Sequence, residues 1–110
     1  LGGNVIDPII RLTGYCARIV GGCQTTTGYI VRQSYIPTLL DNMRRGLASL
    51  RQFPDRRSEF AIDRYWIPLQ MQEVWVVLHP PTVTQHDGYS DIEKTHVSYT
   101  APMLRSPREV

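Results

Sequence analysis

The sequence predicts an α+β fold in a single small domain, with two amphipathic helices in the N-terminal half packed on a C-terminal antiparallel sheet. Apolar residues recur at helical spacing in two segments before residue 54, whereas aromatic and β-branched residues dominate after residue 58. A chain of 110 residues has room for one modest core. We therefore expect one domain over residues 1–100, followed by an extended tail over residues 101–110.

The first helix is predicted over residues 7–20. Asp7 is placed to cap its first turn, Pro8 suits the first helical position, and Gly21 supplies a left-handed residue at its end. Four apolar side chains share one face of this helix: Ile9, Leu12, Cys16 and Ile19.

Two familiar processing signals overlap in ARIVGGCQ, residues 17–24. RIVGG is typical of the activation site of a trypsin-like protease, but the Ser and His motifs of such an enzyme are missing. VGGC is typical of a lipobox, but Asp7, Arg11 and Arg18 interrupt the apolar run that a signal peptide needs. We therefore expect neither signal peptide nor lipobox, and we interpret the stretch as the end of the helix.

The second helix is predicted over residues 35–53, after a short strand or extended connector within residues 24–33. Pro37 is tolerated in its first turn, and Phe53 and the following proline end it. Gly46 costs about 1 kcal/mol relative to Ala inside a helix, which hints at a close packing neighbour. The expected buried stripe is flanked by Ile36 and Leu39 and consists of Leu40, Met43, Leu47 and Leu50.

Strands are predicted in the rest of the chain. Residues 59–67 alternate in polarity, whereas residues 73–79 are apolar on both faces and should form a central strand covered on both sides. Two weak strands are expected around a turn at Asp87-Gly88. The tail has no periodicity, so we expect it to dock on a neighbouring chain through Met103 and Leu104.

Composition limits the classes of function. The net charge of +2 is too small to indicate a nucleic-acid binder, although eleven of the twelve basic residues are Arg. That bias has two explanations, a functional use of guanidinium groups or the coding bias of a GC-rich genome, and composition does not separate them. No apolar run approaches the roughly 20 residues that a membrane-spanning helix needs, so we expect no membrane span.

Residues that carry chemistry form no recognisable catalytic or metal-binding motif. Cys16 and Cys23 are too few for a disulfide scaffold or a zinc site and are expected to be reduced. Trp66 and Trp75 are expected to pack rather than to form a stacking platform. The histidines lack ligand spacing and are expected in loops or at a sheet edge: His79, His86 and His96. The sequence therefore predicts no catalytic residue, no metal and no cofactor.

The densest cluster of like charge lies between residues 44 and 57, where Asp55 is the only acidic residue. This cluster is either the solvated face of the second helix or a patch that binds a protein partner or an anion. We favour a non-enzymatic structural or assembly subunit that packs against other protein chains or against itself. The alternatives are an RNA- or DNA-binding module that uses the patch, and a small enzyme of unrecognised type. The patch consists of Arg44, Arg45, Arg51, Arg56 and Arg57.

Overall fold

The fold is α+β, as predicted, with helices in the middle of the chain and three small antiparallel sheets; the computed structural model describes residues 1–110. Its elements in chain order are β1 (Gly2–Val5), β2 (Ile9–Arg11), β3 (Cys16–Ile19), β4 (Cys23–Gly28), α1 (Ile36–Gln52), α2 (Arg57–Phe60), α3 (Ile62–Tyr65), α4 (Ile67–Gln72), β5 (Val76–Leu78), β6 (Gly88–Ser90), β7 (Thr95–Val97) and α5 (Thr100–Leu104).

The sheets bring the two ends of the chain together. β1 pairs with β4, β3 lies between β2 and β5, and β6 pairs with β7. Side chains from the first two sheets form the main apolar core, which buries Val5, Ile9, Ala17, Ile19, Cys23 and Val77.

The helix predicted over residues 7–20 is wrong, because the chain forms the β2–β3 hairpin there. The Thr13 hydroxyl accepts hydrogen bonds from the backbone N–H groups of Tyr15 and Cys16, which stabilises the turn between the strands. Ile9 faces Ile19 across the hairpin, and both are fully buried. Their separation of ten residues fits the period of a helix and the period of a strand alike.

The glycines after β3 form a turn instead of the expected helix end. Gly22, not Gly21, takes the left-handed backbone conformation, with φ of 111°. A side chain at Gly21 would lie 2.1 Å from the carbonyl oxygen of Asp7. The expected strand within residues 24–33 is confirmed as β4.

The second predicted helix is confirmed as α1, with proline in its first turn and its end at Phe53. The expected close neighbour of Gly46 is also present, because a Cβ there would lie 2.8 Å from the ring of Tyr65. The predicted buried stripe is only partly correct. Leu39 and Gly46 are the buried residues of α1, whereas Leu40 is 41% exposed.

The strand predicted over residues 59–67 is wrong, because this segment forms the short helices α2 and α3 and leads into α4. Pro68 occupies the first turn of α4, where its missing N–H costs no hydrogen bond. Trp66 and Gln70, four residues apart, are both fully buried on the inner side. The residues that alternate in the sequence do not share one buried face, because Ile62 is 48% exposed whereas Trp66 is fully buried.

The strand predicted over residues 73–79 is confirmed only over residues 76–78, as β5. The prediction that it lies in the middle of a sheet is wrong. β5 lies at the edge of its sheet, where Val77 is buried but Leu78 is 51% exposed. The two weak strands near the end of the chain are confirmed as β6 and β7. Their turn lies at residues 91–94, where Lys94 has φ of 57°, and not at Asp87-Gly88.

The last residues are not an extended tail. The C-terminal segment, residues 100–110, begins with α5 and then runs parallel to β2. The backbone N–H of Ile9 donates to the carbonyl of Arg108 at 2.9 Å, and Val110 donates back to Ile9 at 2.9 Å. This segment therefore packs on the domain to which it belongs.

Both cysteines are free thiols, as expected. None of the helices combines the length and the apolar character needed to cross a membrane.

Candidate functional site

Two of the five patch arginines are neutralised by carboxylates of the same chain. Arg45 pairs with Asp41 one turn earlier on α1, and Arg56 pairs with Glu59 on α2. The side-chain hydrogen bond that Arg45 donates to Asp41 raises the pKa of Arg45, and the one that Arg56 donates to Glu59 lowers the pKa of Glu59. These pairs bring two negative charges into the patch, which weakens it as a site for phosphate.

A third patch arginine is held by the backbone, and Arg56 has a second contact. Arg57 donates to the carbonyl of Ile92 at 2.9 Å, which ties α2 to the β6–β7 turn. The guanidinium carbon of Arg56 lies 5.3 Å from the ring centre of Phe53 and 5.0 Å from that of Phe60. Arg56 and Arg57 therefore stabilise the helical region through contacts with groups of the same chain.

Arg44 and Arg51 differ from the other three because they are exposed and form no ion pair. They are seven residues apart on α1 and flank Leu47, which lies three residues after Arg44 and four before Arg51. Of the five arginines predicted as one patch, two are therefore free cations, and the other three are bound to groups of the same chain.

An exposed apolar strip runs along the same side of α1 as the two free arginines. It consists of Ile36, Leu40 and Leu47, which are 47%, 41% and 49% exposed. At 100° per residue, Arg44 and Arg51 lie along one edge of this strip. Exposed apolar side chains that are contiguous on one face commonly mark an interface.

A groove of about 220 Å³ opens beside the strip, between α1 and the segment that contains α2 and α3. Gly46 and the ring of Tyr65, which are in close contact, both line this groove. Leu47 and Ile62, which are 49% and 48% exposed, stand at its walls. The complete lining is Asn42, Met43, Gly46, Leu47, Leu50, Phe60, Ile62 and Tyr65.

Asn42 is the one amide in this lining. Its Nδ2 donates to the carbonyl of Tyr65 at 3.2 Å, which orients the side chain. Its Oδ1 is buried and accepts no hydrogen bond. Because this oxygen has almost no accessible surface, it lies behind the lining and is not offered to a ligand in the groove.

The tryptophans pack against other aromatic side chains of the fold, as predicted. Their rings meet edge to face at 5.3 Å, and Trp66 is fully buried. Trp66 Nε1 donates to the carbonyl of Cys23 at 2.9 Å, whereas Trp75 Nε1 donates to the Tyr35 hydroxyl at 3.3 Å. The ring of Trp66 is therefore not free to stack on a base or a sugar.

One of the three histidines departs from the expected exposed position. His79 is 8% exposed, and its Nε2 lies 2.6 Å from the guanidinium of Arg11. Because Arg only donates, Nε2 is the acceptor in this contact. Glu109 in turn accepts a hydrogen bond from Arg11 Nε at 2.9 Å. This cluster fastens the C-terminal segment to β2 and β5.

The two interface residues predicted in the tail have different environments. Met103 is 1% exposed, so it has no surface free for another chain, whereas Leu104 is 41% exposed. His, Cys, Asp and Glu side chains form no group of three or more that could hold a metal ion.

The arginines are visible in the sequence, whereas the groove is not. The far wall comes from Phe60, Ile62 and Tyr65, in the segment predicted to be a strand. The sequence of α1 carries no signal for the groove, because its apolar residues form one stripe of the width that packing on a core requires, and only the structure shows that Leu39 alone among them is buried.

Comparison with known proteins adds no assignment, since no family model, no curated protein and no solved structure matches this chain.

Proposed function

We propose that this chain is a non-enzymatic assembly subunit, and that it binds an acidic amphipathic helix of another protein along the exposed side of α1. The observation that carries the proposal is the apolar strip of Ile36, Leu40 and Leu47, bordered by the unpaired Arg44 and Arg51. A helix that lays its apolar face into such a surface is a common mode of recognition.

Charge supports an acidic partner helix. The two free arginines stand about 10 Å apart along α1, because seven residues rise at 1.5 Å each. Carboxylates two turns apart on a partner helix match that spacing and would pair with both guanidinium groups. Arg favours such pairing because its planar group binds carboxylates in a bidentate manner.

The same charges disfavour a second copy of this chain as the partner. In a two-fold symmetric pair, the same surface of each copy forms the interface. Two antiparallel copies of α1 crossing at Leu47 would place Arg44 of one copy opposite position 50 of the other, next to its Arg51. That repulsion favours a different, acidic chain.

The proposal is tested by site-specific crosslinking in the source cells. A photo-crosslinking amino acid replaces Leu47 in one variant and the exposed Thr26 of β4 in a control. We expect position 47 to capture a segment with acidic residues and helically spaced apolar residues, and position 26 not to capture it. Capture of nucleic acid, or equal capture at both positions, would contradict the proposal.

The captured partner is then purified and its affinity measured by calorimetry. Replacing Leu40 by Glu should weaken binding about 30-fold or more, since loss of a central apolar contact costs about 2 kcal/mol. Reversing Arg44 and Arg51 to Glu should weaken it further and be rescued by Lys at the partner's carboxylates. RNA or DNA binding below about 1 µM at about 0.15 M salt, abolished by these reversals, would instead establish the nucleic-acid alternative.

A further inference from the structure

The outer face of the sheet formed by β2, β3 and β5 carries aliphatic side chains where a solvated sheet face carries polar ones. Successive residues of a strand point to opposite faces, so the neighbours of the buried Ile9, Ala17 and Val77 point outward. These outward side chains form two rows across the three strands, and together they are the outer sheet face. The first row is Ile10, Arg18 and Val76, and the second is Leu12, Cys16 and Leu78.

The aliphatic side chains of the outer sheet face are contiguous and half exposed. Opposite residues on paired strands have Cβ atoms about 5 Å apart, and rows two residues apart are separated by about 7 Å. The four aliphatic side chains are between 40% and 51% exposed: Ile10, Leu12, Val76 and Leu78. A contiguous exposed apolar surface of this kind is typical of an interaction site.

Arg18 is the one charged side chain of the outer sheet face, and it has no acidic partner. It lies in the middle of its row, directly opposite Ile10 on one strand and Val76 on the other. Arg18 belongs to no ion pair, and its Nε is buried without a hydrogen-bond partner. A partly buried guanidinium without an acceptor costs free energy, which a carboxylate on the covering molecule would recover.

The central position of Arg18 distinguishes between possible occupants of the outer sheet face. At a membrane surface, cationic side chains extend from the rim toward the headgroups, whereas Arg18 would be carried into the hydrocarbon with its neighbours. A two-fold axis through the face of a second copy would bring two Arg18 groups close together. A free fatty acid needs a concave site that encloses most of its surface, and a sheet face covers only one side of it. The arrangement favours an apolar surface of a different protein that bears a carboxylate.

The width of the outer sheet face matches one α-helix. Neighbouring strands lie about 4.8 Å apart, so β2 and β5 are about 10 Å apart, and an α-helix with its side chains is about 10–12 Å across. We infer that the outer sheet face docks one amphipathic helix of a partner protein, and that an Asp or Glu within the apolar stripe of this helix pairs with Arg18. This inference goes beyond the proposed function, because it concerns a second surface and does not depend on α1.

Photo-crosslinking in the source cells tests which molecule covers the outer sheet face. The crosslinking amino acid replaces Leu78 in one variant and Tyr89 of β6, which is 56% exposed, in the control. Mass spectrometry of the crosslinked peptides should identify, at position 78 alone, a segment with apolar residues at helical spacing and an Asp or Glu among them. Capture of lipid, of a second copy or of a segment without a carboxylate would overturn the inference, as would equal capture at both positions or none.

Charge reversal then tests the pairing of Arg18 with the captured partner, whose affinity is measured by calorimetry. Arg18→Glu should weaken binding about 30-fold or more, and Lys in place of the partner's carboxylate should restore it. Arg32→Glu is the matched control, because Arg32 is exposed, forms no ion pair and lies outside the outer sheet face. Arg18→Gln replaces Arg18→Glu if the latter fails to fold. Equal losses at positions 18 and 32, or no rescue by Lys, would refute the pairing.

The native thiol of Cys16 reports whether the partner helix lies on the outer sheet face. Cys16 belongs to the second row and is half buried, whereas Cys23 is fully buried. At about 90% occupancy by the partner, modification of Cys16 by iodoacetamide should slow about tenfold. An unchanged rate would show that the helix binds elsewhere. Leu40→Glu on α1 should leave this protection unchanged, so failure of the proposed function and failure of this inference are distinguished.

Discussion

Asp7 Oδ1 lies 2.9 Å from Nη1 of Arg105, and this ion pair joins the first loop of the chain to the C-terminal segment. The same oxygen accepts the backbone N–H of Arg108 at 3.0 Å. Arg105 also donates to the carbonyl of Val5 at 2.8 Å. Asp7, which was predicted to cap a helix, thus links two segments that are about a hundred residues apart in the chain.

Acid should release the C-terminal segment. The backbone hydrogen bond from Arg108 and the Arg105 side chain lower the pKa of Asp7 below 3.8, and the hydrogen bond from Arg11 lowers that of Glu109 below 4.5. A carboxylate with a lowered pKa in the fold stabilises above its unfolded pKa, and this stabilisation is lost as the pH falls through the lowered value. We expect amide exchange in residues 100–110, corrected for intrinsic rates, to accelerate as the pH falls below about 4.5.

The charge-neutral variant Asp7→Asn should show the faster exchange already at pH 7, because the ion pair with Arg105 is lost. Asp55→Asn is the matched control, since Asp55 is exposed and forms no ion pair. Unchanged protection in Asp7→Asn would show that backbone pairing with β2 alone holds the segment.

Gly46→Ala should destabilise the protein although Ala favours helices. The new Cβ would lie 2.8 Å from the Tyr65 ring, and overpacking costs about 1–3 kcal/mol against a propensity gain of about 1 kcal/mol. We expect a net loss of about 1 kcal/mol in urea unfolding. The control Gly14→Ala has no atom within 4 Å of its Cβ and should change stability by less than about 0.5 kcal/mol. A more stable Gly46→Ala protein would contradict the tight contact.

Replacement of Gln70 should lower the free energy of unfolding more than replacement of any other polar residue of the fold. It is fully buried, accepts the backbone N–H of Cys23 at 2.7 Å and donates to the Cys23 carbonyl at 3.0 Å. Gln70→Ala should lower the free energy of unfolding by on the order of 3 kcal/mol, because it leaves a buried N–H without a partner and opens a cavity. Gln72→Ala, exposed on the same helix, should have little effect in the same urea titration. Equal losses in the two variants would refute this role.

The two cysteines should differ in reactivity. Burial raises the pKa of the Cys23 thiol to about 12, so the reactive thiolate is scarce at neutral pH. Cys16 is only half buried. We expect iodoacetamide to modify Cys16 alone in the native protein and both residues in denaturant, as measured by mass spectrometry. Rapid modification of Cys23 under native conditions would show that the sheet opens there.

Local sequence was sufficient for α1 and for the class of fold. The apolar repeat of α1, proline in its first turn and the Phe53-Pro54 stop lie within one continuous segment, so no distant contact is needed to interpret them. The candidate site was predictable only in part. The arginines are visible in the sequence, but which of them are neutralised depends on Asp41, Glu59 and Ile92 in the folded chain.

Tertiary structure decided the remaining elements of the fold, because the residues that contact each other there are distant in sequence. Ile9 and Ile19 fit a helix and a hairpin equally well, and pairing of β3 with β5 selects the hairpin. Phe60, Ile62 and Tyr65 face α1 only because their segment folds into short helices, and that placement creates the groove. By itself the sequence determined the α+β class and the one long helix, whose apolar spacing and end signals are local. The hairpin, the docked C-terminal segment and the groove depend on contacts between residues far apart in the chain, which local periodicity does not encode.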